Sequence, residues 1–167
     1  MELKDLTAVL ALLVAVVALI YSKAQWRQSN RPLVTAFVEE HATGNMAATF
    51  NLIVANSGNR PAINVTLHAE PDEIQKLFGP STSSKNRALV ESNFEEGAII
   101  PLLRNGEKLE TSFGAMTAPE SDDPWLAYGE TIEITISYED LDRRRKYYSK
   151  IPLKIYARHG FGGGIWS

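Results

Sequence analysis

The chain has 167 residues, room for one ordinary domain and an appendage but not for two. It contains no cysteine, which excludes a disulfide framework, a thiolate metal site and a cysteine nucleophile. Removing Lys4, Lys23, Arg27 and Arg31 from the 17 basic residues, and Glu2 and Asp5 from the 20 acidic ones, leaves 13 against 18 beyond Arg31, so no nucleic-acid partner is expected.

A flank at residues 1–5 (MELKD) precedes an uncharged run, Leu6 to Ser22, LTAVLALLVAVVALIYS. As a helix rising about 1.5 Å per residue it spans roughly 25 Å, near the short end of what crosses a bilayer. Lys4 and Lys23 can snorkel to lengthen it, and Tyr21 and Trp26 fall where an interfacial aromatic belt belongs. The run is apolar on every face, unlike a core helix. The rival is a cleaved signal peptide, since Ser22-Lys23-Ala24 places small residues where a signal peptidase inspects; against it, MELKD has one lysine and two acids. Residues 6–22 are therefore predicted to be the transmembrane helix of a single-pass protein of the cell (inner) membrane, with the lipid bilayer as one partner. Lys4 alone precedes the run while Lys23, Arg27 and Arg31 follow it, which places the globular domain in the cytoplasm; a periplasmic or extracellular domain is the alternative. Ala8, Ala11, Ala15 and Ala18, spaced by three, four and three residues, form a stripe of small side chains suited to helix pairing and a homo-oligomer.

The basic linker at residues 23–31 (KAQWRQSNR) is polar and can prolong the helix for two turns before Pro32 forbids more. Strand-like sequence then takes over. LVTAFVEEHA (33–42) and MAATFNLIVAN (46–56) flank a short turn, Thr43-Gly44-Asn45, and the second puts Ala48, Phe50, Leu52 and Val54 on one face. ANSGNRPAINV (55–65) is dense in turn formers: Gly58 would permit a positive φ and Pro61 suits a first strand position. INVTLHA (63–69) points Ile63, Val65 and Leu67 inward. PDEIQKLFGP (71–80) reads as one short helix or 3₁₀ turn, begun by Pro71 and stopped by Gly79-Pro80, and residues 81–97 as a largely exposed loop. AIIPLL (98–103) and KLETSF (108–113) flank an Asn105-Gly106 turn, followed by an acidic loop at 117–128. ETIEITISY (130–138) alternates without a fault, with Ile132, Ile134, Ile136 and Tyr138 inward. Across the turn EDLDRRR, the strand at 147–158 places Ile151, Leu153 and Ile155 inward, closing a hairpin. About seven half-buried strands and no βαβ rhythm predict, for residues 32–158, an all-β fold: an antiparallel β-sandwich of immunoglobulin-like type, with a small barrel as the alternative. A glycine-rich tail, 159–167, follows.

NLIVANSGNRPAINV resembles the strand-turn-strand of immunoglobulin-like, CARDB-like modules in small prokaryotic membrane proteins, and ITISYEDLDRRRKYYSKIPLKI resembles their closing hairpin. The order of membrane helix, basic linker and sandwich is similar too. The resemblance implies a non-catalytic anchored module and carries over no binding residue. The chain as a whole is expected to be an accessory subunit that binds another membrane or membrane-associated protein, with an extracytoplasmic ligand-binding or adhesion domain as the alternative.

Candidate chemistry is sparse. His41, His68 and His159 are dispersed; Glu39 and His41 share a strand face but lack further metal ligands. The acidic turn at Glu139, Asp140 and Asp142 is followed by Arg143, Arg144, Arg145 and Lys146, which reads as a solvated turn with local ion pairs, or else as a charged tip facing a partner or anionic lipid. HGFGGG (159–164) superficially resembles an oxyanion loop, but no nucleophile elbow accompanies it, so no catalytic, cofactor or metal residue is assigned. Trp166, an apolar tip on a glycine tether, joins Asp140, Asp142, Arg143 and Arg144 as a candidate partner contact. Asn64-Val65-Thr66 spells a glycosylation sequon within a strand.

Overall fold

The protein was analysed as a computed structural model that describes residues 3–43, 47–80, 82–117, 125–127 and 129–155. It divides into two units, Met1–Arg31 and Pro32–Ser167. The first is the helix α1, Leu3–Ser29, which passes through the polar linker as the sequence predicts. It stops short of Pro32, and Asn30 closes its end by donating through both its backbone N–H and its Nδ2 to the carbonyl of Trp26, each at 2.9 Å. Thr7–Ser29 is long and apolar enough to cross a membrane, with a mean hydropathy of 2.2 in its most apolar window and none of that window buried.

The second unit is a sandwich of two antiparallel sheets, not a closed barrel. Its strands are β1 (Val34–Thr43), β2 (Ala47–Asn56), β3 (Ala62–Ala69), β4 (Ile99–Leu103), β5 (Lys108–Thr117), β6 (Thr131–Asp140) and β7 (Lys146–Lys154). One sheet has the order β1-β2-β5 and the other β4-β3-β6-β7. Alternation along the strands supplies the core: Phe50, Leu52, Val54, Ile132, Ile134, Ile136 and Leu153 meet between the sheets. The hairpin of β6 and β7 keeps full register from Thr131 opposite Lys154 to Glu139 opposite Lys146, and Tyr138 and Tyr147 stack at 5.2 Å. Ile132, Ile134, Ile136, Tyr138, Leu153 and Ile155 are buried as the alternation predicts, with Ile151 partly so.

Three expectations change. Ile63 is buried, at 7% exposed, but stands outside the main core cluster, where Ala62 takes its place, because the pairing of β3 with β6 slips between Ile63 and Thr66 and Asn64 sits at φ +51°, a bulge that reverses the parity of the strand. The stretch 81–97 is not an exposed loop: it holds α3 (Ser84–Glu91) and a 3₁₀ turn at Ser92–Phe94. Ser83 caps α3 by accepting from the Asn86 N–H at 3.3 Å, and Asn86, Val90 and Phe94, four residues apart, are buried. The short helix α2, Pro71–Gln75, ends earlier than its sequence suggests, since Phe78 is drawn into a bridge with Leu126.

Arg87 ties this segment together. Its guanidinium donates to Gln75 Oε1 (2.5 Å) and to the carbonyls of Thr82 (3.2 Å) and Gly79 (3.3 Å) while lying 4.8 Å over the Phe78 ring. Phe94 meets Phe113 edge to face at 6.2 Å, and Phe113 reaches the core because β5 bulges there. The Asn105-Gly106 turn forms, with Gly106 at φ +73°, but it joins strands of different sheets and so is no hairpin.

Candidate functional site

Turns 56–61, 104–107 and 140–145 gather at the end of the sandwich where the chain enters β1. Asn56 organises this proximal end. Its side chain is buried, and its four hydrogen-bonding positions are all used: Oδ1 accepts from the N–H groups of Leu33 (3.1 Å) and Gly58 (3.0 Å), and Nδ2 donates to the carbonyls of Arg60 (2.8 Å) and Leu103 (3.2 Å). Its backbone exchanges hydrogen bonds with the next crossing, donating to Glu107 at 3.0 Å and accepting from Gly106 at 2.8 Å. One amide thus joins three chain segments, and the suspicious cluster ANSGNRPAINV is scaffold. Gly58 does not need its conformational freedom there: among the described residues the positive-φ glycines are Gly106 and Gly129, and Gly58 serves by offering its N–H to Asn56.

The β6–β7 turn is built on a second buried side chain. Asp140, offered by the sequence as a surface contact, is only 6% exposed. Its Oδ1 accepts from the N–H groups of Arg144 (2.8 Å) and Arg145 (3.3 Å), and its backbone pairs with Arg143 and Arg145. Asp142 reaches across to Arg60, Oδ2 to Nη2 at 3.2 Å, joining the two turns. The expected local ion pairs are therefore absent: among the described residues no carboxylate is in an ion pair with Arg143, Arg144, Arg145 or Lys146, all exposed. Arg143 lies at φ +53°, where glycine or asparagine is at ease.

A different surface lies along one side of the sandwich. β4 and β5 are the outer strands of their sheets on this side. Between them opens a groove of about 420 Å³, lined by Leu52, Val54, Val65, Leu67 and Ile100 and rimmed by Ile99 and Leu109, which are 49% and 39% exposed. Pro101 removes a backbone donor from β4, which leaves β5 as the edge with the fuller complement of ladder groups. No sequence reading singled out this groove, since it exists only because consecutive strands β4 and β5 belong to opposite sheets.

The remaining candidates resolve as follows. His41 is the extra residue of a bulge in β1, so it no longer shares a regular face with Glu39; its Nδ1 lies 3.3 Å from Asn51 Nδ2. His68 is exposed, and no group of three metal-ligating side chains occurs among the described residues. Glu73 on α2 is held below its ordinary carboxylate value by its hydrogen bond from Lys76 and by the Glu133 N–H, while Lys150 is raised by its 2.8 Å bond to Glu133. Both are surface ion pairs, Glu73–Lys76 at α2 and Glu133–Lys150 across β6 and β7, worth little to stability. Asn64 of the sequon is exposed on its bulge. Ala8, Ala11, Ala15 and Ala18 share one stripe of α1, open along its length. Trp166, His159 and the whole tail 159–167 lie outside the described residues.

Comparison with curated proteins found no match. A domain family of unknown function, DUF8453, matches residues 6–157, a span that takes in the apolar helix as well as all seven strands, and the chain belongs to that family.

Proposed function

We propose that this protein is a non-enzymatic, membrane-anchored interaction module. The helix α1 holds it in the cell membrane as a single-pass anchor, and the sandwich displays a binding edge to another membrane or membrane-associated protein, as an accessory subunit of a membrane complex. The strand orders β1-β2-β5 and β4-β3-β6-β7 support assigning the sandwich to the immunoglobulin-like type. The observation that carries the reading is the apolar groove between β4 and β5, flanked by outer strands: an extended segment of a partner can add to β5 by main-chain hydrogen bonds while its apolar side chains fill the groove.

The test is a photo-crosslinking amino acid placed at Leu109 in the full chain, in its native membranes, with Thr43 as the control position. A discrete adduct from Leu109 that is missing from Thr43 and suppressed by Ile100→Trp, which adds bulk at a partly buried position lining the groove, supports the reading. Identical adducts from both positions, or none from Leu109, reject it.

A second reading, an extracytoplasmic ligand-binding or adhesion domain, draws on the exposed Asn64 of the sequon. A cysteine in place of the exposed Ser84 separates the two, because Ser83 is engaged as the cap of α3. Reaction with a membrane-impermeant thiol reagent in intact cells places the domain outside; protection until lysis places it in the cytoplasm.

A further inference from the structure

The β6–β7 turn has a composition that its own fold does not use. Arg143, Arg144, Arg145 and Lys146 are consecutive and exposed, while the sequence beyond Arg31 carries 13 basic residues against 18 acidic ones. A strongly basic tip on an acidic domain orients that domain in an electric field. Of the neighbouring carboxylates, Asp142 pairs with Arg60, Asp140 is buried beneath the turn on backbone N–H groups, and Glu139 stands across from Lys146 with no ion pair among the described residues, so the four cations outnumber the three acids and are the charges that face solvent. Apolar surface accompanies it: Leu141 is 51% exposed and Tyr148 66%, with Lys146 Nζ 5.5 Å above the Tyr148 ring.

Arg143 holds a left-handed conformation in which any Cβ costs stability, so local folding alone favours glycine at that position. The turn lies at the proximal end of the sandwich, since Asp142 binds Arg60 in the turn that Asn56 ties to Leu33, where the chain enters β1. The tether from the apolar run to Pro32 is short: the residues Lys23 to Arg31 measure about 14 Å as a helix and about 30 Å fully extended.

We infer that this tip is a second membrane contact, in which Arg143, Arg144, Arg145 and Lys146 engage anionic phospholipid headgroups of the bilayer that holds α1, with Leu141 and Tyr148 entering the interface. Guanidinium groups bind phosphate oxygens in pairs, and an apolar residue among cations is the composition of a peripheral membrane surface. The contact would fix which side of the sandwich faces a partner. It rests on the reading of α1 as an anchor.

The absence of cysteine allows a clean test in the full chain, reconstituted in vesicles of phosphatidylcholine with about one third phosphatidylglycerol, or of phosphatidylcholine alone. Flotation with the vesicles reports the anchor. A fluorophore on Leu141→Cys, quenched by lipids carrying a nitroxide near the headgroup, reports the tip, with Thr43→Cys at the opposite end of β1 as control. In the anionic vesicles quenching at Leu141→Cys is expected to exceed that at Thr43→Cys by about threefold or more, and to fall as salt rises from about 0.05 M to about 0.5 M. Arg144→Glu with Arg145→Glu should abolish the difference, and Arg143→Gly, which relieves the backbone, should reduce it while the domain stays folded. Equal quenching at the two positions, or quenching indifferent to lipid charge, overturns the proposal and turns the basic tip over to an acidic protein partner. Failure to float, by contrast, rejects the anchor itself.

Discussion

Two turns at the same end of the sandwich are built on the same device and put to different ends. In each, a buried side chain of the Asn/Asp type takes over backbone groups that the sheets leave unpaired: Asn56 serves Leu33, Gly58, Arg60 and Leu103, and Asp140 serves Arg144 and Arg145. Around Asn56 all that chemistry turns inward and joins three segments. Asp140 holds one turn in shape and leaves four cations outside. The comparison teaches that a polar cluster in a sequence is not one kind of object. Whether it is scaffold or surface depends on how many chain segments converge on it.

The comparison can be broken most sharply at Asn56. Replacing it with alanine strands two N–H groups and two carbonyls in a buried place, and is expected to cost about 3 kcal/mol or more, seen as a large drop in the thermal unfolding midpoint. Asp140→Ala should cost less, about 1–2 kcal/mol, because its turn borders solvent, and Asp140→Asn should recover much of that, since an amide oxygen can still accept both hydrogen bonds. If Asp140→Ala proved as damaging as Asn56→Ala, the distinction between junction and local cap would fall.

Arg143→Gly should work in the other direction, stabilising by about 0.5–1 kcal/mol as the left-handed strain is relieved, the gain being reduced by the entropy of glycine in the unfolded chain. A double-mutant cycle on Arg60 and Asp142, which joins the two turns, should give a coupling of about 0.2–1 kcal/mol that fades with salt, both side chains being substantially exposed. The smallest effect belongs to pH. Glu73 is lowered in the folded state, so its contribution is present at neutral pH and lost as pH falls below 4.5; Lys150 is raised, so its contribution is present below 10.5 and lost above. Both groups face solvent, so unfolding midpoints recorded between pH 6 and 9 should not move on their account.

Much of the fold was legible because burial on one face imposes a period of two. The uninterrupted alternation of Ile132, Ile134, Ile136 and Tyr138 marked a strand, its inward face and its hairpin partner. What alternation cannot reveal is a change of parity within a strand: the bulge at Asn64 moved Ile63 out of the core cluster and Ala62 into it. The helix α3 is hard to read in the sequence because it buries only Asn86 and Val90, with Phe94 of the 3₁₀ turn continuing the line, too sparse to register as an apolar stripe. A capping serine followed by those three residues at a spacing of four was the signal that could have found it.

The candidate surfaces divide along the same line. The apolar run at 6–22, the charged turn at 139–146 and the turn chemistry of 55–65 are properties of local sequence, because length, hydropathy and the turn preferences of Asn, Gly and Pro act over a few residues. Only the tertiary structure decided that Asp140 is buried while its arginine neighbours are not, that Asp142 pairs with a residue 82 positions away, and that β4 and β5 part into different sheets to open an apolar groove. Those outcomes depend on which distant segments meet, and a local pattern carries no record of what will pack against it.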